Sequence, residues 1–198
     1  MEAINRTIYL ALNASAHPMH VAVALAIFCG EWLIWCVPAS LAIGWLRGSD
    51  ATRKAMLVAA VAGGLALLVS QCIALAWPHP RPFMIGLGHT LIPHVADSSF
   101  PSDHLTLWWA FAFSLMARPG WRATAMALTL LGLPMAWARI YLGVHFPFDM
   151  AGAAAVGACS AWLAVRAEPV YVELCYRFAS HVHRRLFGRL IAAGWLRG

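Results

Sequence analysis

The sequence predicts an all-α fold, an integral membrane helical bundle of about five transmembrane helices with an interfacial helix at each end. Three observations predict it. The 198-residue chain is 62% hydrophobic and only 11% charged, against about 45–50% apolar and about 25% charged in a soluble domain. Its apolar residues fall into long runs, and at ~1.5 Å per helical residue such runs cross a ~30 Å hydrocarbon core. The ten tryptophans suit a protein with two membrane–water interfaces to anchor. The chain reads as a single domain, residues 1–198, with its polar motifs in 74–150 and a basic tail over 166–198.

The elements follow in order. Residues 1–18 mix Ile4, Ile8, Leu10 and Leu12 with Asn5, Arg6 and Asn13, an interfacial pattern that ends near His17-Pro18. The first span runs from Val21 to Leu46 and carries Glu31, read as a carboxylate facing the bundle interior, paired with a cation or protonated; a direct role is the other reading. The second runs from Ala55 to Trp77 and stops at Pro78-His79-Pro80-Arg81-Pro82, because proline removes a donor and disfavours helix before it. A loop with His89 and His94 follows. The third run, Leu105 to Ala117, is short and is expected to borrow a turn from Ser102-Asp103-His104, which sets His104 at the membrane edge. The fourth runs from Ala123 to Tyr141. The fifth runs from Pro147 to Val165, rich in the small residues that let helices pack closely in lipid. From Arg166 on, the basic tail reads as an amphipathic surface helix that contacts solvent or lipid headgroups.

Charge sets the expected topology. Eleven of the fourteen basic residues lie in 47–54, 118–122 and the tail from 166. The positive-inside rule makes that side cytoplasmic. Five spans then put the N-terminus outside, the C-terminus inside, and Arg81, His104, Arg139, His145 and Asp149 together on the extracytoplasmic face. A net charge of +6 also raises nucleic-acid binding, but the basic residues sit at the ends of apolar spans, so no nucleic-acid partner is expected. Five cysteines, four of them inside apolar runs and none in a C-x-x-C pair, form neither a disulfide framework nor a zinc pattern.

The polar residues of that face suggest phosphate chemistry. Arginine offers planar paired donors that fit phosphate oxygens, and Arg81 and Arg139 are two of them. Ser102 precedes an apolar run and reads as a helix cap or, with the free N–H groups there, as part of an anion site. His145 and Asp149 are four apart; on one helical face the carboxylate fixes the histidine tautomer and leaves the other nitrogen free as base or nucleophile. Asp149 alone also has a plain reading as a carboxylate in a first helical turn. His104 is the remaining acid. A histidine cluster can instead bind a metal, but arginines in the same site repel the ion, so no metal and no cofactor are expected.

Arg81-Pro82, then Pro101-Ser102-Asp103-His104, then Arg139 with His145 and Asp149 at fixed spacing resembles the phosphatidic acid phosphatase type 2 superfamily, whose pattern is K-x6-RP, PSGH and SR-x5-H-x3-D. Ala74 stands at the family's Lys, Asp103 at the Gly of PSGH and Ala138 at the Ser before Arg139. The PSDH form, with Trp77-Pro78-His79-Pro80-Arg81-Pro82-Phe83, is similar to bacterial undecaprenyl-diphosphate phosphatases. The resemblance implies that His145 attacks the terminal phosphorus, Asp149 orients it, and His104 protonates the leaving group and then activates water. It implies that Arg81, Arg139 and Ser102 hold the phosphoryl group, with Asp103 beside them. The implied partner is a polyprenyl diphosphate lipid in the bacterial inner membrane, recycled for peptidoglycan synthesis. Other lipid phosphates (phosphatidylglycerol phosphate, phosphatidic acid, a lipid A phosphate) are the alternatives. A transporter or scaffold fits less well, because the polar residues gather at one face and do not run through the bilayer.

Overall fold

The computed structural model describes residues 2–198. Helix α1 spans Glu2–Leu12, α2 His20–Ile27, α3 Cys36–Arg47, α4 Asp50–Ala76, α5 Asp103–Met116, α6 Arg122–Tyr141 and α7 Pro147–Ala192. Among the described residues there is no strand. Four stretches are long and apolar enough to cross a membrane: His20–Arg47, Asp50–Ala76, Pro119–Tyr141 and Pro147–Ala192. The protein is a multi-pass membrane bundle.

Two elements differ from the sequence reading. The first span is not one α-helix. A π-helical turn, Phe28–Trp32, and a 3-10 turn, Leu33–Trp35, join α2 to α3. Such a turn carries an extra residue, re-aims the side chains around it, and recurs at functional sites. The tail is not a separate surface helix either. Helix α7 runs unbroken for 46 residues, through Pro169, about 69 Å at ~1.5 Å per residue. Its far half is tied to neighbouring chain, with Lys54 donating to Glu173 at 2.7 Å and Arg118 to Glu168 at 2.7 Å. Helix α5 agrees with the sequence reading: it borrows its first turn from Asp103-His104 and has only 14 residues, about 21 Å against the ~30 Å core.

Packing centres on α5, buried between α4, α6 and α7 and lined by Leu105, Trp108, Phe111 and Leu115. The two indole N–H groups of Trp108 and Trp109 donate to the Leu128 and Thr129 carbonyls of α6, at 2.7 and 3.3 Å. Buried indoles need such partners. The alternating helix directions bring the end of α4, the start of α5, the end of α6 and the start of α7 to one end of the bundle.

Helix α1 lies across that end. Its buried residues are Asn5 and Tyr9, four apart on one stripe, and half-buried Asn13 continues the spacing just past its end. Asn5 Oδ1 accepts from Phe148 N at 3.0 Å, Tyr9 Oη donates to Leu87 O at 3.2 Å, and Asn13 Nδ2 donates to His89 O at 2.9 Å. Asn13 Oδ1 also accepts from His89 N at 2.7 Å, and Asn13 Nδ2 reaches Tyr141 O at 3.1 Å. This one amide joins the N-terminal segment, the 86–102 loop and the α6–α7 turn.

Candidate active site

The turn between α6 and α7 carries His145. Gly143 permits it: φ is +84°, and a Cβ there would lie 2.1 Å from the His89 carbonyl oxygen, so both the left-handed backbone and the close approach require glycine. Leu91 N donates to Leu142 O at 3.0 Å, and Arg81 Nη1 donates to Val144 O at 2.9 Å, which fix the turn from outside. Pro147 then opens α7, as its preset φ favours.

His145 is 2% exposed. Its Nδ1 lies 3.0 Å from the Ser99 carbonyl oxygen and 3.2 Å from Asp149 Oδ2. Two acceptors on one nitrogen put the proton there, so Nδ1–H donates and Nε2 carries the lone pair. That lone pair faces Arg81 Nη1 at 3.0 Å. Burial pushes the ring's pKa well below its ordinary value, and the charges of Arg139 and Arg81 act in the same direction. The imidazole is therefore neutral.

Asp149 Oδ2 is held by more than His145. It accepts from Phe146 N at 2.7 Å, at the start of its own helix, and from Ser99 Oγ in a very short bond. The plain capping role and the orienting role fall on the same oxygen. Arg81 is 5% exposed and its guanidinium is shared out: Nε to Asp97 Oδ1 at 2.8 Å and Nη2 to Ser98 O at 3.2 Å, besides Val144 and His145. Arg139 is fully buried. It pairs with Glu31 through Nη1 and contacts His94 Nε2 through Nη2 at 2.9 Å, while its Nε–H has no partner. His104 sits within electrostatic reach of Arg139, His145, His94 and Arg81.

Ser102 occupies the N-cap position of α5 but makes no cap bond. Its hydroxyl is buried with no partner. A buried hydroxyl left unpaired costs free energy and calls for an explanation. Asp103 is the correction. Its carboxylate accepts from Ser70 Oγ at 2.5 Å and Gln71 Nε2 at 2.9 Å. Both oxygens are occupied on the α4 side, so Asp103 ties α5 to α4. A carboxylate turned toward a phosphate would repel it.

The structure links Arg81, His145 and Asp149 by hydrogen bonds, holds Arg139 in a separate set of bonds with Glu31 and His94, brings Arg139 and His104 within electrostatic reach of His145, and turns the Asp103 carboxylate toward α4. Sequence reasoning missed Ser99, Asp97 and His94. Each lies in the irregular stretch 86–99, ahead of the Pro101-Ser102-Asp103-His104 motif, where no periodicity or motif marks a residue. Among the described residues, no three His, Cys, Asp or Glu side chains converge as a metal site.

Comparison with known proteins identifies the family of the chain. A model of the PAP2 superfamily matches residues 55–172. YbjG of Escherichia coli (strain K12) is 33% identical over 202 residues, 100% of this chain and 99% of that protein. The undecaprenyl-diphosphatase BcrC of Bacillus subtilis (strain 168) is 32% identical over 186 residues, 92% of this chain and 95% of that protein. Among solved structures, LpxE of Aquifex aeolicus superposes with a TM-score of 0.64 at 23% identity, over 82% of this chain and 95% of that one, a likeness of fold.

Proposed function

The chain belongs to the PAP2 superfamily, and from that premise we propose that it hydrolyses undecaprenyl diphosphate to undecaprenyl phosphate and phosphate through a phosphohistidine on His145. One observation carries the reading: His145 is neutral, its Nδ1–H is anchored by Ser99 O and Asp149, and its Nε2 lone pair faces a guanidinium. That is the state a nitrogen nucleophile needs.

In this scheme the terminal phosphate enters beside Arg81, Arg139 and the free Ser102 hydroxyl. Nε2 of His145 forms a bond to the terminal phosphorus as the bond to the bridging oxygen breaks. Burial and the charges of Arg139 and Arg81 push the His104 pKa down to about 3; the incoming diphosphate offsets those charges so that the ring takes up a proton, and the bridging oxygen accepts it and departs on the lipid monophosphate. His104 then accepts a proton from water, whose oxygen attacks the phosphorus and releases His145. Asp149 stabilises the Nδ1–H throughout, and the arginines stabilise charge on the equatorial oxygens. No cofactor takes part in these steps.

The choice of substrate is supported by the likeness to BcrC over nearly the whole chain. The placement on the extracytoplasmic face of a bacterial inner membrane is supported by charge: eleven of fourteen basic residues lie at the other end of the bundle or in the tail.

The test is phosphate release by detergent-purified protein in EDTA, with undecaprenyl diphosphate beside phosphatidylglycerol phosphate and phosphatidic acid. Wild type is expected to turn over the diphosphate fastest. His145→Ala is expected to lose about 10³-fold or more. Faster turnover of another lipid phosphate would reassign the substrate, and turnover by His145→Ala would remove the nucleophile.

A further inference from the structure

Arg139 is gripped from two sides by residues outside the family pattern. Its side chain is 1% exposed and Glu31's is 39% exposed. Glu31 belongs to the π-helical turn of the first span, Phe28–Trp32. The neighbouring Gly30 brings that turn against α6: a Cβ on Gly30 would lie 3.1 Å from Leu142 Cδ1 and 3.6 Å from Arg139 Cδ. The Gly30 carbonyl accepts from Arg139 Nη1 at 3.4 Å, beside the Glu31 carboxylate.

His94 holds the other arm. Its Nδ1 lies 3.1 Å from the Val95 carbonyl, and its Nε2 2.9 Å from Arg139 Nη2. The carbonyl requires a proton on Nδ1, which leaves Nε2 as the acceptor for the guanidinium. The same ring stands 6.2 Å from that of His145. With Nη1 and Nη2 engaged, Nε–H is the one buried guanidinium group without a partner. The site also has one cation fewer than the family pattern, because Ala74 replaces the Lys. Two arginines must do the work of three cations, and the placement of each counts for more.

We propose that Glu31 and His94 are positioning residues that clamp the Arg139 guanidinium and present its free Nε–H to the transferred phosphoryl group. The inference rests on the phosphatase reading for its meaning, but its test does not require the right lipid. Neither residue touches substrate in this account. Each acts through Arg139.

The probe is orthovanadate, which mimics a transferring phosphoryl group, bound to the full-length protein in detergent and read by thermal shift and calorimetry. Arg139→Ala is expected to weaken vanadate binding about 10²-fold, as loss of one oxyanion donor does. Glu31→Ala and His94→Ala are each expected to weaken it about tenfold, in the range of a supporting contact. Glu31→Gln keeps an acceptor for Nη1 and is expected to restore most of the affinity. In the Arg139→Ala background, Glu31→Ala is expected to change binding less than twofold, because the residue it acts through is gone. Additive losses in the double variant would overturn the proposal, as would wild-type vanadate affinity in both Glu31→Ala and His94→Ala. If Glu31→Ala does not fold, the same cycle run with His94→Ala decides. A wild type that binds vanadate with this coupling but releases no phosphate from undecaprenyl diphosphate would leave the clamp standing and refute the substrate. Normal turnover with no coupling would do the reverse.

Discussion

Asp149 Oδ2 accepts three hydrogen bonds at once, from Ser99 Oγ, Phe146 N and His145 Nδ1. That oxygen is where the local fold and the proposed chemistry meet. Asp149→Asn leaves the size unchanged but removes the charge and can turn a donor toward Nδ1, so activity is expected to fall about 10³-fold or more. Ser99→Ala removes one donor and is expected to cost about tenfold, as for a hydrogen bond to a charged group. The pH dependence follows from the buried ring. An unfolded histidine takes up a proton below about pH 6.5, whereas folded His145 resists protonation until well below that. The unfolded chain therefore binds more protons under pH 6.5, and stability contributed by His145 is present above that pH and lost as pH falls. The nucleophile itself stays neutral over the same range. Thermal unfolding in detergent is expected to shift to lower temperature below pH 6.5, less so in His145→Gln.

At this scale the motif residues were legible, because a fixed spacing of Arg, His and Asp survives any change in the surroundings. Glu31 was legible in part: a lone acid in an apolar span has to find a cation, and it meets Arg139. His94 and Ser99 were not legible. A histidine or serine in an irregular loop has no neighbour in sequence that marks its partner in space. Asp103 misled, because its place in the motif suggested the site while its carboxylate reaches back to Ser70 and Gln71.

The elements teach a different lesson. Hydropathy located the spans, but it does not see how a helix is wound. The π-turn at Phe28–Trp32 and the unbroken α7 both lie inside stretches whose composition reads correctly. Helix α1 shows the limit most clearly. Its apolar residues suggested a helix lying on the interface, yet its polar stripe is buried against the site loops. Asn13→Ala leaves the His89 amide and carbonyl and the Tyr141 carbonyl without this partner. A loss of about 0.5–1.5 kcal/mol in stability is expected, measured by thermal unfolding, with activity reduced because the same loop carries His94. An unchanged melting temperature would mean that α1 does not hold the loop. Gly143→Ala is expected to be worse, since its Cβ would meet the His89 carbonyl at 2.1 Å.

For the whole molecule, topology and chemistry arise from separate features that agree. By the positive-inside rule the arginines of the turns and tail are expected on the cytoplasmic side, and the helix directions bring the site residues to the opposite end of the bundle. Cysteine variants test the orientation. In intact cells, Thr90→Cys is expected to react with a membrane-impermeant maleimide, and Gly120→Cys only after lysis. Labelling in the reverse order would put the site on the cytoplasmic side and end the proposed role in recycling an outer-face lipid.

The central claim is that a neutral His145 becomes phosphorylated, and trapping that intermediate tests it most directly. Undecaprenyl diphosphate labelled in its terminal phosphate is mixed with enzyme and quenched in alkali within one turnover, followed by peptide mass spectrometry. The account predicts an acid-labile, base-stable phosphate on His145, enriched in His104→Ala, where water attack is slowed, and lost in His145→Ala. Label on any other residue, or turnover with no trapped phosphate in His104→Ala, would contradict it.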